Sequence, residues 1–361
     1  MNLELTDEQV ALRDTVRRFL VEKASVTTHV RPMLENPTGT TRDVWGGLAN
    51  LGATGVLVPQ ELGGSGMTMV EAGIVAEELG AALHPGPWLS SAVAATRALT
   101  RLVPEADGAS LLTGIADGST VATVGPLAGP RPTADGGVLR GEISALPDAA
   151  AAGVVLILAE DGNGTGLFLT DATAAGVSVA EQTHVDPTRK LFDVTFDDVL
   201  AQRLASPSAE DISGLVDDVL IAYAADALGA ATAVMNLAVE YAKVRRQFDQ
   251  PIGSFQAVQH MCVDMYETVE LARSGVLHAL WAADAAPPAE RHLAAVRAKA
   301  FAGKLASVAD TAIQVFGGIG YTWEHDAHLY LKRLLGWSAF GGGSDRYLQE
   351  VGRQLATTVS S

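Results

Sequence analysis

The chain has 361 residues, 48% of them apolar and 19% charged, with a formal charge of −17 at pH 7. That length suggests two or three domains or one composite fold, and the apolar content excludes wholesale disorder. The acidic balance argues against nucleic-acid or anionic-membrane binding, which needs a basic face, while leaving room for a local anion site.

The segment MNLELTDEQV shows no basic-then-apolar leader. Thr6 and Gln9 fit a capping box, and Leu12, Val16, Phe19 and Leu20 recur at helical spacing. Asp43–Leu51 reads as a second helix. Residues 52–66 carry Pro59 and five glycines and read as a loop. Helical pattern returns over Val70–Ala82 and Leu89–Leu102. Residues 1–118 are thus expected to form an N-terminal α-helical domain.

Short β-rich runs follow at Thr120–Val124, Val138–Ile143, Val154–Ala159, Gly166–Leu169 and Phe192–Phe196, separated by turn signals such as Asp135-Gly136-Gly137. They indicate a small central β-barrel or sandwich over 119–204. The longest apolar run, 149–159, is too short to cross a bilayer. Residues 205–361 read as a C-terminal four-helix bundle. Its first helix runs from about Leu215 to Gln247. The second carries a seam of Val258, Cys262, Met265, Val269, Ala272, Val276, Ala279 and Ala283 at alternating spacings of four and three. Pro287-Pro288 ends it. A single third helix is expected over Ala289–Phe316, stopped by Gly317-Gly318. Shorter helices follow at Glu324–Phe340 and Ser344–Thr358. The whole is an α+β multidomain chain.

No GxxxxGK[ST], GxGxxG or GxSxG pattern stands in a usable context. The single cysteine, Cys262, excludes an intrachain disulfide and fits a reducing cytoplasm; its place in the seam reads as a buried structural thiol. Glu324, His325, Asp326 and His328 could suggest a metal, but HExxH spacing is missing and acids suit a helix start, so no metal site is assigned. Arg245, Arg246, Gln247 and Phe248 end a long apolar helix. They are either cations complementing a helix C-terminus or an anion site.

The stretch Tyr241-Ala242-Lys243-Val244-Arg245-Arg246-Gln247-Phe248-Asp249-Gln250-Pro251-Ile252-Gly253-Ser254-Phe255-Gln256 closely resembles the YAxxRxQFxxPIxxFQ signature of acyl-CoA dehydrogenases. Gln314-Val315-Phe316-Gly317-Gly318-Ile319-Gly320-Tyr321 is similar to the family's QxxGGxGY stretch, and Leu57–Gly64 followed by Glu77-Glu78-Leu79-Gly80 is a third match. The order helical domain, β domain, bundle is also the family's. The resemblance implies FAD bound between the β domain and the bundle and across a subunit interface. Arg245, Gln247 and Phe248 would contact the FAD of the neighbouring subunit, with Arg245 facing its pyrophosphate. Gln314, Gly317 and Gly318 would approach the adenosine diphosphate portion, where glycine admits close backbone approach.

The chain departs from the family where the chemistry lies. A carboxylate must remove the α-proton of an acyl-CoA while a β-hydride passes to the flavin. Gly341, in Phe340-Gly341-Gly342-Gly343, occupies the expected glutamate position. The alternative base position on the first bundle helix falls near Val219. Asp217 and Asp218 are its neighbours, read as a solvated acidic face, and Asp226 is an acid inside an apolar helix whose burial could raise its pKa. The flavin-ring loops read Gly125-Pro126-Leu127-Ala128-Gly129-Pro130 and Ser144-Ala145-Leu146-Pro147, without the family's aromatic and hydroxyls. The expectation is a subunit of an actinobacterial-type α2β2 acyl-CoA dehydrogenase. A paralogous chain supplies the glutamate, an acyl-CoA is the substrate, and a separate electron acceptor takes the electrons. A non-catalytic structural subunit and a homomeric flavoenzyme, either a dehydrogenase with a relocated base or a flavin monooxygenase, are the rivals.

Overall fold

The computed structural model describes residues 4–359, so Met1–Leu3 of the N-terminal segment lie outside the described residues. The chain opens with α1 (Asp7–Lys23) in the expected capping box: Thr6 accepts from the Gln9 amide, and the Gln9 side chain accepts from the Thr6 amide at 3.0 Å. A π turn at Val26–Val30 leads into α2 (Arg31–Met33), then α3 (Arg42–Asn50) and α4 (Met69–Ala81). The expected helix over 89–102 is two pieces: a fully buried π segment, Leu89–Ala95, running into α5 (Thr96–Leu102). Helix α6 (Glu105–Ala116) closes this part.

Eight strands follow: β1 (Ala122–Gly125), β2 (Thr133–Asp135), β3 (Val138–Pro147), β4 (Val154–Asp161), β5 (Gly164–Asp171), β6 (Val177–Glu181), β7 (Leu191–Leu200) and β8 (Gln202–Ala205). They form one mixed sheet in the order β6-β7-β3-β2-β4-β5-β8, with β1 parallel beside β4. The apolar run through β4 reflects burial of both faces. Val155, Ile157 and Ala159 pack with Phe168, Phe192 and Phe196, while Leu156 and Leu158 turn the other way onto Leu99, Leu112 and Leu215 of the helices. The sheet is thereby fixed against the helical layers.

The bundle begins with α7 (Ala209–Val244), 36 residues long. A hairpin of β9 (Arg246–Gln247) and β10 (Gln250–Pro251) joins it to α8 (Gln256–Ala285). The expected third helix is broken: α9 (Pro288–Ala302) and α10 (Ala306–Phe316) are separated by a 3-10 turn at Gly303–Leu305. There the backbone lies against Ser344, and a Cβ on Gly303 would stand 1.9 Å from the Ser344 hydroxyl. Helices α11 (Ala327–Ala339) and α12 (Ser344–Val359) complete the chain.

The α8 seam is buried from Met265 to Ala283, but Val258 and Cys262 at its start are half-buried, so the thiol is less enclosed than expected. Helix α7 is apolar and long enough for a bilayer, yet 83% of its apolar window is buried inside the protein. Two glycines let α4 cross it closely. A Cβ on Gly80 would stand 1.9 Å from the Asp226 carbonyl, and one on Gly229 1.8 Å from the Glu77 carbonyl. Helices α1, α3, α4, α7, α8, α10 and α11 consequently share one core.

Candidate active site and cofactor-binding surface

Arg245 ends α7, and the chain reverses through Phe248 and Asp249, both left-handed at φ 49° and 63°. Two positive φ values are what a two-residue hairpin turn of type I′ requires. A bulky aromatic in that conformation is a strained outlier that its surroundings must hold. Here the Arg246 guanidinium donates to the Asp249 carbonyl, and the Ile252 amide donates to the Arg245 carbonyl at 2.8 Å. The Phe248 ring is 85% exposed at the tip. The Arg245 and Gln247 side chains are exposed and make no hydrogen bond or ion pair among the described residues.

Tyr241, one turn before Arg245, packs on Phe316 at the end of α10 with ring centroids 5.1 Å apart. This contact brings Gln314, Gly317 and Gly318 to the hairpin's end of the bundle. Gly317 ends α10 at φ +65°, and a Cβ at either glycine would meet nothing within 4 Å. The six residues expected to face FAD thus offer free donors on the hairpin and bare backbone at the end of α10.

The turn after α11 is closed instead. Gly341 has φ +65°, and a Cβ on it would stand 3.0 Å from the Tyr347 hydroxyl and 3.2 Å from Leu220. The Tyr347 hydroxyl donates to the Gly341 carbonyl at 2.6 Å. Phe340 stacks on Tyr223 of α7 at 4.3 Å and 8°. Lys299 of α9 pins the preceding helix end: its Nζ donates to the Trp337 carbonyl at 2.5 Å and lies 3.7 Å from that ring's centroid. Burial lowers the Lys299 pKa to about 7.

None of the three candidate carboxylates on α7 is a free base. Asp217 and Asp218 are not a solvated face; they are 2% and 0% exposed. Asp218 pairs with Arg101 at 2.5 Å and Arg97 at 3.4 Å. Asp217 meets His292 Nδ1 at 2.8 Å, and His292 Nε2 meets Glu350 at 2.9 Å. The hydrogen bond to Asp217, aided by Glu350, raises His292 to about 9 against the effect of burial. Val219 is buried among apolar side chains. Asp226 is the acid whose burial could raise its pKa. Burial does push that way, but Arg189 at 2.6 Å and Arg333 at 3.1 Å outweigh it and hold the carboxyl below its ordinary range.

The acidic-histidine run after Trp323 does not converge. Asp326 pairs with Arg31 at 2.7 Å, His325 Nδ1 accepts from the Ala327 amide at 3.1 Å, and His328 lies edge-on to Trp323 at 4.5 Å. Among the described residues no three metal-capable side chains come together.

Where the sheet meets the bundle, a cavity of about 60 Å³ remains, bordered by Pro147, Asp148, Arg189, Tyr223, Asp226 and Phe340. That is room for a few water molecules and too little for a tricyclic flavin ring. The strand ends around it are occupied with themselves. Ser144 donates to Asp193 at 2.8 Å, Thr123 donates to the Pro147 carbonyl at 2.7 Å, and Leu146 lies where a side chain on Gly125 would go. So the elements expected to face the adenosine diphosphate offer exposed donors and bare backbone that suit it, while the elements expected to face the ring leave it no room. The cluster Arg189–Asp226–Arg333 and the Phe340–Tyr223 stack escape sequence reading, because their members come from three distant segments. Asp226 inside an apolar helix is the only local sign.

Fold and surface together define a flavin-dependent dehydrogenase scaffold. Residues 6–119 match "Acyl-CoA dehydrogenase, N-terminal domain" and residues 221–356 match "Acyl-CoA dehydrogenase, C-terminal domain", and the chain belongs to the acyl-CoA dehydrogenase family, whose cofactor is FAD. It is 35% identical over 334 residues to acyl-CoA dehydrogenase IpdE2 of Mycobacterium tuberculosis, covering 91% of this chain and 92% of that protein. It is 36% identical over 358 residues to acyl-CoA dehydrogenase FadE34 of the same organism, covering 96% of this chain but 48% of that protein, so the chain spans about half of that relative's length. Among solved structures, the ChsE4-ChsE5 complex from Mycobacterium tuberculosis aligns at TM-score 0.90 and 25% identity over 99% of both chains. A variant of the Tcur3481-Tcur3483 steroid ACAD aligns at 0.88 and 29% over 98% of this chain and 99% of that one.

Proposed function

We propose that this chain is the half of a heteromeric acyl-CoA dehydrogenase that holds the cofactor's adenosine diphosphate end, while a paralogous chain provides the catalytic glutamate and the flavin-ring contacts. The observation that carries this reading is Gly341. The position has no proton acceptor, its backbone is left-handed, and its surroundings are filled by Tyr347, Leu220 and the Phe340–Tyr223 stack. A relocated base is disfavoured because Asp217, Asp218 and Asp226 are all committed to cations. A self-sufficient flavin monooxygenase is disfavoured because the pocket where the sheet meets the bundle holds about 60 Å³.

When bound, FAD supplies the hydride acceptor for α,β-dehydrogenation of a CoA thioester. Arg245 would hold the pyrophosphate as a fixed cation, and Gln247, Phe248 and Gln314 would position the cofactor's outer end. Gly317 and Gly318 would admit its phosphates against bare backbone. The paired names of two structural relatives, one of them a steroid ACAD, support a two-chain assembly and a bulky acyl group. The double length of FadE34 relative to the matched region fits the same arrangement, with room for a second chain-sized unit. Electrons would leave to a separate acceptor protein.

Each heteromeric pair then has one complete flavin site. The experiment is the visible spectrum and mass of this chain purified alone and after co-expression with a paralogue. A colourless chain that joins a yellow complex with about one flavin per two chains is expected. Stoichiometric flavin in a homomer would overturn the reading, and a complex that stays colourless would favour a purely structural subunit.

A further inference from the structure

The residual cavity between sheet and bundle is not simply collapsed, for its walls carry polar groups left over. The Arg189 guanidinium donates to Asp226 at 2.6 Å through one nitrogen, while its remaining N–H groups have no acceptor among the described residues. It lies 5.4 Å over the ring of Tyr223, which also lines the cavity and whose hydroxyl has no hydrogen-bond partner among the described residues. Arg333, by contrast, is fully used: it donates to both Asp226 oxygens, to the Thr188 hydroxyl at 2.7 Å and to the His84 carbonyl at 2.9 Å.

The charged groups lining the cavity are balanced: Arg189, Lys190 and Arg333 stand with Asp148, Asp186 and Asp226, His184 also lines it, and Glu181, half-exposed to solvent 3.9 Å from Lys190, lies outside the lining. Asp148 is the member that can leave the balance. It is 3% exposed, its Oδ2 accepts from Ser90, and burial lifts its pKa to about 6 against that hydrogen bond and the nearby cations. Once Asp148 is protonated, one positive charge is uncompensated. The group with unused donors is Arg189, whose planar fork matches a carboxylate.

We propose that this cavity binds a small planar monoanion of carboxylate size, gripped by the free edge of Arg189 and the hydroxyl of Tyr223. The volume, about 60 Å³, suits a one- or two-carbon carboxylate and excludes an acyl chain. Asp148 takes up a proton as the anion enters, so no net charge is added to the buried site. The site lies in this chain alone and does not depend on the heteromeric reading.

The test titrates formate into the purified protein at constant ionic strength, balanced with gluconate, which is too large for the cavity. The unfolding midpoint and the heat of binding are followed. A saturable rise in Tm with formate but not gluconate is expected at pH 5.5, with affinity about tenfold lower at pH 7.5 as Asp148 ionises. Arg189→Met abolishes it. Tyr223→Phe keeps the stack on Phe340 and weakens formate binding several-fold without moving the gluconate Tm, so it decides the matter should the arginine variant fail to fold. Equal responses to formate and gluconate, a formate response that survives Arg189→Met, or one that Tyr223→Phe leaves at full strength, would mean that the cavity holds water alone and the proposal fails.

Discussion

A glutamate at position 341 would need more than the right charge. The left-handed backbone there, φ +65°, disfavours any side chain with a Cβ by about 1–2 kcal/mol. The added Cβ would also crowd Tyr347 and Leu220 at 3.0 and 3.2 Å. Gly341→Glu is therefore expected to lose about 1–2 kcal/mol of stability in urea unfolding and to gain no dehydrogenase activity in the isolated chain. Robust turnover from that single change would show that the ring-facing contacts are intact after all. The missing carboxylate was legible in the sequence, since Gly341 stands out against the family motif. The turn's handedness and its packing were not, because they depend on Tyr347 and Leu220, residues that local pattern cannot place beside it. The same limit applies to Asp226: an acid in an apolar helix is visible in the sequence, but Arg189 and Arg333 reach it from a loop and from α11. What looked like a candidate base is thus an ion-pair hub joining three parts of the chain.

Between elements, one histidine ties α7, α9 and α12 together. His292 bridges Asp217 and Glu350, and these bonds raise its pKa to about 9 from an ordinary 6.5. Because the folded value lies above the unfolded one, the tie contributes fully below pH 6.5 and is lost as pH rises through about 9. His292→Gln should lower Tm at pH 7 and converge on the wild type above pH 9. The side chain is 36% exposed, so solvent screening keeps the gap modest. A Tm difference that does not change between pH 7 and 10 would assign His292 a packing role only. Element positions follow the same division between local and distant causes. The capping box at Thr6, the α8 seam and the buried run of β4 were readable because each rests on spacing within one segment. The break at Gly303–Leu305 was not, because its cause is the seat of Ser344 from the start of α12. The π winding at Leu89–Ala95 and the short strands β2, β6 and β8 left no periodic trace either.

On the scale of the whole molecule, the order of helical layer, sheet and bundle follows from composition changes along the chain, and the two C-terminal motifs fall on the bundle. What remained hidden was the division of the molecule into an open end and a closed middle. The open end carries a strained hairpin whose Phe248 ring is 85% exposed, and a neighbouring Arg245 without an intramolecular partner among the described residues. Strain and exposure of that kind persist where a second body takes them up. Arg245→Ala separates this role from a structural one. In the isolated chain it removes no hydrogen bond or ion pair, so its unfolding free energy should stay within about 0.5 kcal/mol of the wild type. In the complex it removes a charge-assisted contact to phosphate, worth roughly 1.5–3 kcal/mol, and flavin should dissociate roughly tenfold to a hundredfold more readily. Gel filtration followed by flavin absorbance measures this directly. Unchanged retention would move the pyrophosphate away from the hairpin. Loss of flavin together with loss of the chain-to-chain association would make the hairpin an assembly element first and a cofactor ligand second.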